Sequence, residues 1–295
     1  IPTGITTDII GSARTQNTTV NMGAYEDLQY ILYVDSSASG SNTGASWTNA
    51  YTSLESAIAA ATSGDYIWVA AGTYYPSAYP AGASGSSDRD YSFFLAGGVH
   101  MYGGFAGTET ALAARDYATN VTILSGDIGT ANDITDNCYH VVMSVNESTP
   151  CTLDGFTVTR GNGNGWGSVT VNTKAKSRNY GGGMMNSQSS PTITNTTFSH
   201  NSAGNGGGMD NEYSSPTITN STFSNNTARG GGGMRNYGYS PTIINCTFTD
   251  NTALSGGGMK NFYSSPAITN TTFSENTATN DGGGMYNQNY SPTIT

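Results

Sequence analysis

The feature that most constrains this chain is a phrase of 25 residues that recurs almost five times between Gly181 and Thr295. Gly-Gly-Gly-Met closes at Met184, Met209, Met234, Met259 and Met285, and seven residues after each methionine stands a proline, at Pro191, Pro216, Pro241, Pro266 and Pro292. Both series step by 25, 25, 25 and 26. Seven residues past the first four prolines comes Phe198, Phe223, Phe248 or Phe273, and three further on Asn201, Asn226, Asn251 or Asn276. A fixed period of this length marks a solenoid, in which one unit buries little alone and a stack buries a continuous core.

Inside one copy, three short runs alternate with period two: Gly207-Gly-Met-Asp-Asn211, Ser215-Pro-Thr-Ile-Thr-Asn220 and Ser221-Thr-Phe-Ser-Asn-Asn226. Each is too short for a helix, and Gly, Ser, Asn and Pro separate them. The expected fold is therefore all-β: a parallel β-helix with three strands per coil and about 25 residues per coil. Alternation points Met209, Ile218 and Phe223 inward and Thr217, Thr219 and Thr222 outward. The expected core ladders are Met184, Met209, Met234, Met259 and Met285; Ile193, Ile218, Ile243, Ile268 and Ile294; and Phe198, Phe223, Phe248 and Phe273. The asparagines at 186, 195 and their repeats read as corner residues, because Asn tolerates left-handed backbone and its amide can bond to the next coil. The Asn-x-Ser/Thr matches at Asn195, Asn220, Asn245 and Asn270 follow the coil period, so they read as ladder rather than glycosylation signals.

The pairing of Gly-Gly-Met-x-Asn with Phe-x-x-Asn, from Phe198–Asn201 through Phe273–Asn276, resembles the repeats of polymorphic outer membrane proteins and related secreted bacterial right-handed β-helix proteins. The run from Gly64 to Tyr74, Gly-Asp-x-Ile-x-Val-x-x-Gly-Thr-Tyr, resembles their first coil. The resemblance implies right-handed coiling, an extracellular or outer-surface location on a bacterium, and an adhesive or structural role.

Composition narrows the partners. Ten basic against 20 acidic residues give a net charge of −10, which argues against nucleic acid and anionic membrane. No apolar run has the length of a transmembrane helix. Of the three cysteines, Cys246 occupies a slot held by Thr196, Ser221 and Thr271 in other copies and reads as a small filler, while Cys138 and Cys151 are candidates to pair across coils.

Residues 1–26 read as a closing segment, like the end of a preceding β-helix. Residues 31–295 read as one β-helix domain. Within it, 31–65 form an N-terminal cap, 66–180 irregular coils and 181–295 tandem repeats that continue or stack beyond 295. In the cap, Thr52-Ser-Leu-Glu55 is a capping-box pattern, and Leu54, Ala57, Ile58 and Ala61 share one helical face. Residues 161–180 read as a Gly/Asn-rich loop.

The tandem coils offer little chemistry. Their acids stand singly (Asp210, Glu212, Asp250, Glu275, Asp281), and Asp210 and Arg235, one coil apart, read as an exposed outward pair. The loop acids are denser (Asp88, Asp90, Asp116, Asp127, Asp133, Asp136), with Asp88 and Asp90 the candidates for a calcium site. His100, His140 and His200 lack metal-ligand spacing. No metal or other cofactor is otherwise expected. An aromatic ridge of Tyr213, Tyr237, Tyr239, Phe262, Tyr263 and Tyr290 runs along the corner before each proline and is the candidate binding surface, for surface glycans, for proteins or for another copy of the chain. The expected function is a non-catalytic structural or adhesive β-helix in a surface protein, stalk or filament, assembling end to end or laterally. The alternative is a carbohydrate-active enzyme on the same fold, a polysaccharide lyase or hydrolase. A minor alternative, ice binding through the Thr-x-Thr arrays, is broken at Ile244 and Ala267.

Overall fold

A computed structural model describes residues 30–80 and 82–295 and, before them, only the backbone of two paired strands, Thr15–Gln16 and Thr19–Val20. The reading of 1–26 as a closing segment otherwise lies outside the described residues. From Ile31 onward the chain winds as a parallel β-helix. Each strand pairs with its counterpart one coil later, so that Met184 lies against Met209, Ile193 against Ile218 and Phe198 against Phe223.

Four walls result, not three. The isoleucine wall has nine strands from Ile31–Val34 to Thr293–Ile294, and the phenylalanine wall has seven, from Gly72–Tyr74 to Thr272–Ser274. The methionine wall also has seven, from Phe93–Phe94 to Met285–Gln288. A fourth wall of five strands runs from Asn162–Gly163 through Ser202–Asn205, Thr227–Gly230 and Thr252–Ser255 to Thr277–Asp281. Its inward residues are Ala203, Ala228 and Ala253, too small to stand out as a hydrophobic stripe. The extra residue of the last copy is absorbed on this wall, by a register shift between Ala253 and Ser255.

The chain turns at left-handed corners repeated in every coil, with positive φ at Gly206/231/256/282, at Asn195/220/245/270 and at the His200/Asn225/Asp250/Glu275 position. At the Gly206 corner a Cβ would meet the Met209 carbonyl oxygen at 2.4 Å, so both the sign of φ and the space select glycine.

Inside, like stacks on like. Phe198, Phe223, Phe248 and Phe273 lie ring on ring at centroid spacings of 4.9, 4.7 and 4.8 Å. The methionine and isoleucine ladders are buried through Met259 and Ile268. In the final coil Met285 and Phe273 are half-buried and Ile294 is 67% exposed, since among the described residues no coil packs above it.

The asparagines divide into two classes. Those at 195, 220, 245 and 270 are corner residues. Those at 186, 211, 236 and 261 instead sit inside the methionine strands, buried, each Nδ2 donating to the Oδ1 of the next at 2.7–2.9 Å. A second buried column runs through Asn201, Asn226 and Asn251 to the half-buried Asn276. Asn226 donates from Nδ2 to the Phe198 carbonyl at 2.9 Å and to Asn251 Oδ1 at 3.0 Å, and its Oδ1 accepts from Asn201 N at 3.0 Å.

At the other end a helix, Leu54–Ala60, packs Leu54 and Ala57 into the core beside the first strands. Its N-cap is Ser53 rather than Thr52, with Ser53 Oγ accepting from Ser56 N. All three cysteines are buried free thiols, so the expected pairing of Cys138 with Cys151 does not occur. Burial pushes the Cys138 thiol up to about 12 and the Cys151 thiol up to about 11.

The Gly/Asn-rich stretch read as a loop holds an antiparallel hairpin, Ser168–Val171 with Lys174–Ser177. Its Val169 and Val171 pack with Met143, Met185, Val145 and Phe94, and so cover part of the outer face of the methionine wall.

Replacing Asn226 with alanine removes a partner from Phe198 O, Asn201 N and Asn201 Nδ2 together, while Asn251 Oδ1 keeps the backbone N–H of residue 226. The expected loss is about 3 kcal/mol or more, since each unsatisfied buried group costs ~1–3 kcal/mol. Thr217→Ser on the exposed face is expected to stay within ~0.5 kcal/mol of the parent. Urea unfolding of the two variants beside the parent chain checks both values.

Candidate functional site

The irregular coils, not the tandem ones, bring acids together. Where strands Gly72–Tyr74 and Thr122–Ser125 of the phenylalanine wall end, the loops that follow them face each other across a cleft of about 560 Å³. Tyr75, Asp88, Arg89 and Tyr91 line one side, and Asp127, Ile128 and Asp136 the other. Asp88 opens a single 3₁₀ turn, Asp88–Asp90, with Ser87 as its cap. The Asp88 carboxylate beside the Tyr91 hydroxyl raises the phenol pKa.

Across the cleft the loop winds around two carboxylates. Both oxygens of Asp127 accept from Asn132 N, at 2.9 and 3.1 Å, and Asp136 Oδ2 accepts from Thr130 N at 2.7 Å. Asp136 Oδ1 is buried and meets no donor. A buried group without a partner costs ~1–3 kcal/mol, so this oxygen is held there by its surroundings rather than by its own contacts. The other loop acids close only their own turns. Asp116 accepts from Ala118 N and from Thr119, and Asp133 from Thr135, which lowers the pKa of each.

Arg89 is the cation of the cleft, and its donors are committed. Nε donates to the Asn137 carbonyl at 2.6 Å, Nη2 to the Asn162 carbonyl at 3.0 Å and to Asn164 Oδ1 at 2.7 Å, while the guanidinium lies 4.1 Å over the Tyr139 ring.

The calcium reading of Asp88 and Asp90 fails on geometry. Asp90 is buried, and its oxygens take both Arg178 Nε and Nη2 at 2.7 Å together with the N–H groups of Ser86 and Ser87. Burial works against its ionisation, but Arg178 and these N–H groups outweigh that and lower its pKa. It is a structural ion pair, and no cluster of three metal-ligating groups occurs among the described residues. The histidines take no part in the cleft. His100 meets Thr152 Oγ1 in the isoleucine wall, His140 is buried against the Gly181 carbonyl, and His200 forms a corner.

The pair Asp210–Arg235, read as exposed, is buried. The neighbouring hairpin stretch, Tyr180 included, covers this part of the methionine wall, and the Arg235 guanidinium lies 4.3 Å over the Tyr180 ring. Burial pushes the Asp210 carboxyl up to about 6 against the attraction of Arg235.

The ridge residues lie together along one corner. Rings run from Tyr239 to Tyr213 to Tyr237 to Phe262 to Tyr263 to Tyr290, with centroids 6.0, 5.0, 5.5, 4.4 and 6.1 Å apart. Tyr213 and Tyr263 hold φ of 49° and 52°, where a bulky residue costs ~1–3 kcal/mol and where other coils carry Gln188, Gly238 and Asn289. Sequence reasoning counted Asp127 and Asp136 as loop acids and passed over Tyr75, Arg89 and Tyr91. No periodicity marks these residues, because the loops that bring them together occur once each.

A family model described as a right handed beta helix region matches residues 118–295. No curated protein matches the sequence. Among solved structures, pectate lyase Pel9A is similar at a TM-score of 0.51 and 18% identity, over 82% of this chain and 53% of that one, so the chain spans about half its length. The pectin methylesterase from Aspergillus niger, in deglycosylated form, aligns at a TM-score of 0.46 and 13% identity, over 90% of this chain and 84% of that one. The β-helix part of the resemblance stands, and nothing in these matches is specific to polymorphic outer membrane proteins. The expectation of a chain without catalysis is corrected to this extent: it does not follow from the fold, since pectate lyase Pel9A, which shares it, is an enzyme. No helix among the described residues is long and apolar enough to cross a membrane.

Asp210 yields a pH dependence of stability. Its folded pKa, about 6, lies above the 3.8 of an unperturbed aspartate, so between about pH 4 and pH 6 the folded chain keeps a proton that the unfolded chain has released. Its contribution is fully present below that window and is lost as pH rises through it. Relative to Asp210→Asn, the parent chain is expected to lose about 1–3 kcal/mol from pH 4 to pH 7. Urea midpoints of both chains across that range check the sign.

Proposed function

We infer from its cleft that this chain, which belongs to the right-handed β-helix family, acts on a neutral polysaccharide and hydrolyses it with the carboxylates gathered there. The observation that carries the reading is the convergence of Asp88, Asp127 and Asp136 with the rings of Tyr75 and Tyr91 on one open cleft. Rings offer apolar faces to sugar faces, and carboxylates accept sugar hydroxyls. Two of the acids are free enough for chemistry. Asp88, exposed and beside the Tyr91 phenol, is suited to draw a proton from water. Asp136 lines the cleft with Oδ1 buried, and its Oδ2, bonded to a single N–H, is the oxygen placed to give a proton to the glycosidic oxygen. Water then adds to the anomeric carbon as the leaving sugar takes the proton, so one C–O bond forms as another breaks. Asp127 holds the loop that carries Asp136.

Elimination from an acidic polymer is supported less well. That reaction needs a base and a cation to offset the substrate carboxylate, whereas Arg89 has its Nε and Nη2 donors committed to Asn137, Asn162 and Asn164. The net charge of −10 also repels an anionic chain. A polymer substrate too large to cross a membrane places this activity outside the cell or at its surface.

The test is reducing-sugar release from neutral polymers (β-glucan, xylan and mannan). Asp88→Asn and Asp136→Asn are each expected to lower turnover by about 10²–10⁴-fold, the usual contribution of general acid–base catalysis, with unchanged thermal melting. Azide is expected to restore part of the loss in one of the two. Unsaturated products from pectate, in place of reducing ends from neutral polymers, would replace hydrolysis with elimination.

A further inference from the structure

We propose that the tyrosine-rich corner beside the tandem coils is a second carbohydrate site, separate from the acidic cleft, which binds a neutral glycan chain along its length. The class of ligand rests on the carbohydrate reading above, but the observations are independent of the cleft.

The surface is built rather than incidental. Six rings, those of Tyr239, Tyr213, Tyr237, Phe262, Tyr263 and Tyr290, form an unbroken series with neighbouring centroids no more than 6.1 Å apart. The four outermost, Tyr213, Tyr239, Tyr263 and Tyr290, stay 42–57% exposed, so burial does not account for their presence. Backbone preference does not either. Tyr213 and Tyr263 take a left-handed corner at which glycine and asparagine serve in neighbouring coils. Room is made for the first of them: a Cβ on Gly238, one coil on, would stand 2.6 Å from Tyr213 Cδ1. The Tyr213 ring therefore lies across a glycine that has the corresponding corner in the next coil.

At the head of the series the rings meet a polar recess. Tyr213 and Tyr239 form one side of a cavity of about 550 Å³ whose remaining lining includes Gln188, Ser190 and Glu147. Glu147 is fixed, accepting from Gly97 N at 2.8 Å and from Asn172 Nδ2 at 2.8 Å. Ser190 Oγ accepts from Ser215 N at 2.9 Å, which leaves its hydroxyl proton to donate. The exposed amide of Gln188 can both donate and accept. Apolar ring faces next to paired donors and acceptors, with no cationic side chain in the lining, suit a ligand that is uncharged, flat on its faces and hydroxylated at its edges. A pyranose chain has that chemistry. Parallel coils supply a new ring group at each step, so the site should reward length.

Titration calorimetry with cellohexaose, xylohexaose and mannohexaose, each beside its disaccharide, tests this. At least one hexamer is expected to bind saturably and about tenfold or more tighter than its disaccharide. Tyr213→Asn with Tyr263→Asn, residues the same corner accepts at Asn289, is expected to weaken hexamer binding at least tenfold without lowering the melting temperature. Gly238→Ala, which displaces the Tyr213 ring without removing it, is expected to weaken binding as well. Asp88→Asn is expected to leave this binding unchanged while abolishing turnover, so the two readings fail separately. The proposal is overturned if none of the three hexamers binds, if the double tyrosine variant binds as well as the parent, or if Asp88→Asn alone removes the binding.

Discussion

The structure depends on one constraint: every coil must repeat the last in register. Parallel strands bond only to the coils before and after them, so a wall exists only if each copy returns to the same place. The corners enforce this. Left-handed residues at fixed positions turn the chain sharply, and glycine or asparagine supplies that backbone geometry at two of them in every tandem coil. Registered coils in turn let identical side chains stack. The phenylalanine column and the buried asparagine columns are one device in two chemistries, the first removing apolar area from water and the second giving each interior amide a partner.

Against that regular background, acids gather where regularity fails. In the tandem coils Asp210 is buried in a pair with Arg235 and Glu212 is held by Lys176, while Asp250, Glu275 and Asp281 stand singly. The acidic cleft arises where two long excursions leave adjacent strands of the phenylalanine wall and meet outside it. A rigid wall sets the spacing of the loop bases, and the loops carry the clustered acids, so the residues that hold the fold and those that line the cleft are different ones.

How much was legible follows from the same division. Methionine, isoleucine and phenylalanine columns announce themselves because large apolar residues recur at one period. The fourth wall did not, since alanine at 203, 228 and 253 buries little and alternates weakly. The asparagines show a subtler limit. One residue type serves as corner at Asn195 and as interior ladder at Asn211, and period alone does not separate the two. Single events were hardest. The hairpin at 168–177 looked like loop because glycine and asparagine surround it, yet Val169 and Val171 were sufficient to seat it on Met185 and to change an outward face into an interior one. The cleft depends on contacts between segments some 40 residues apart, such as Asp88 and Asp127, that no repeat couples.

The one-residue surplus in the last copy shows what the alanine wall permits. Its additional residue is taken up between Ala278 and Asp281, opposite Ala253–Ser255, and the methionine and isoleucine strands that follow still meet their counterparts, Met259 against Met285 and Ile268 against Ile294. An insertion there stays local. The side of the column with the smallest interior residues thus works as an expansion joint: a surplus residue settles on it without dislocating the methionine and isoleucine sides that come after it.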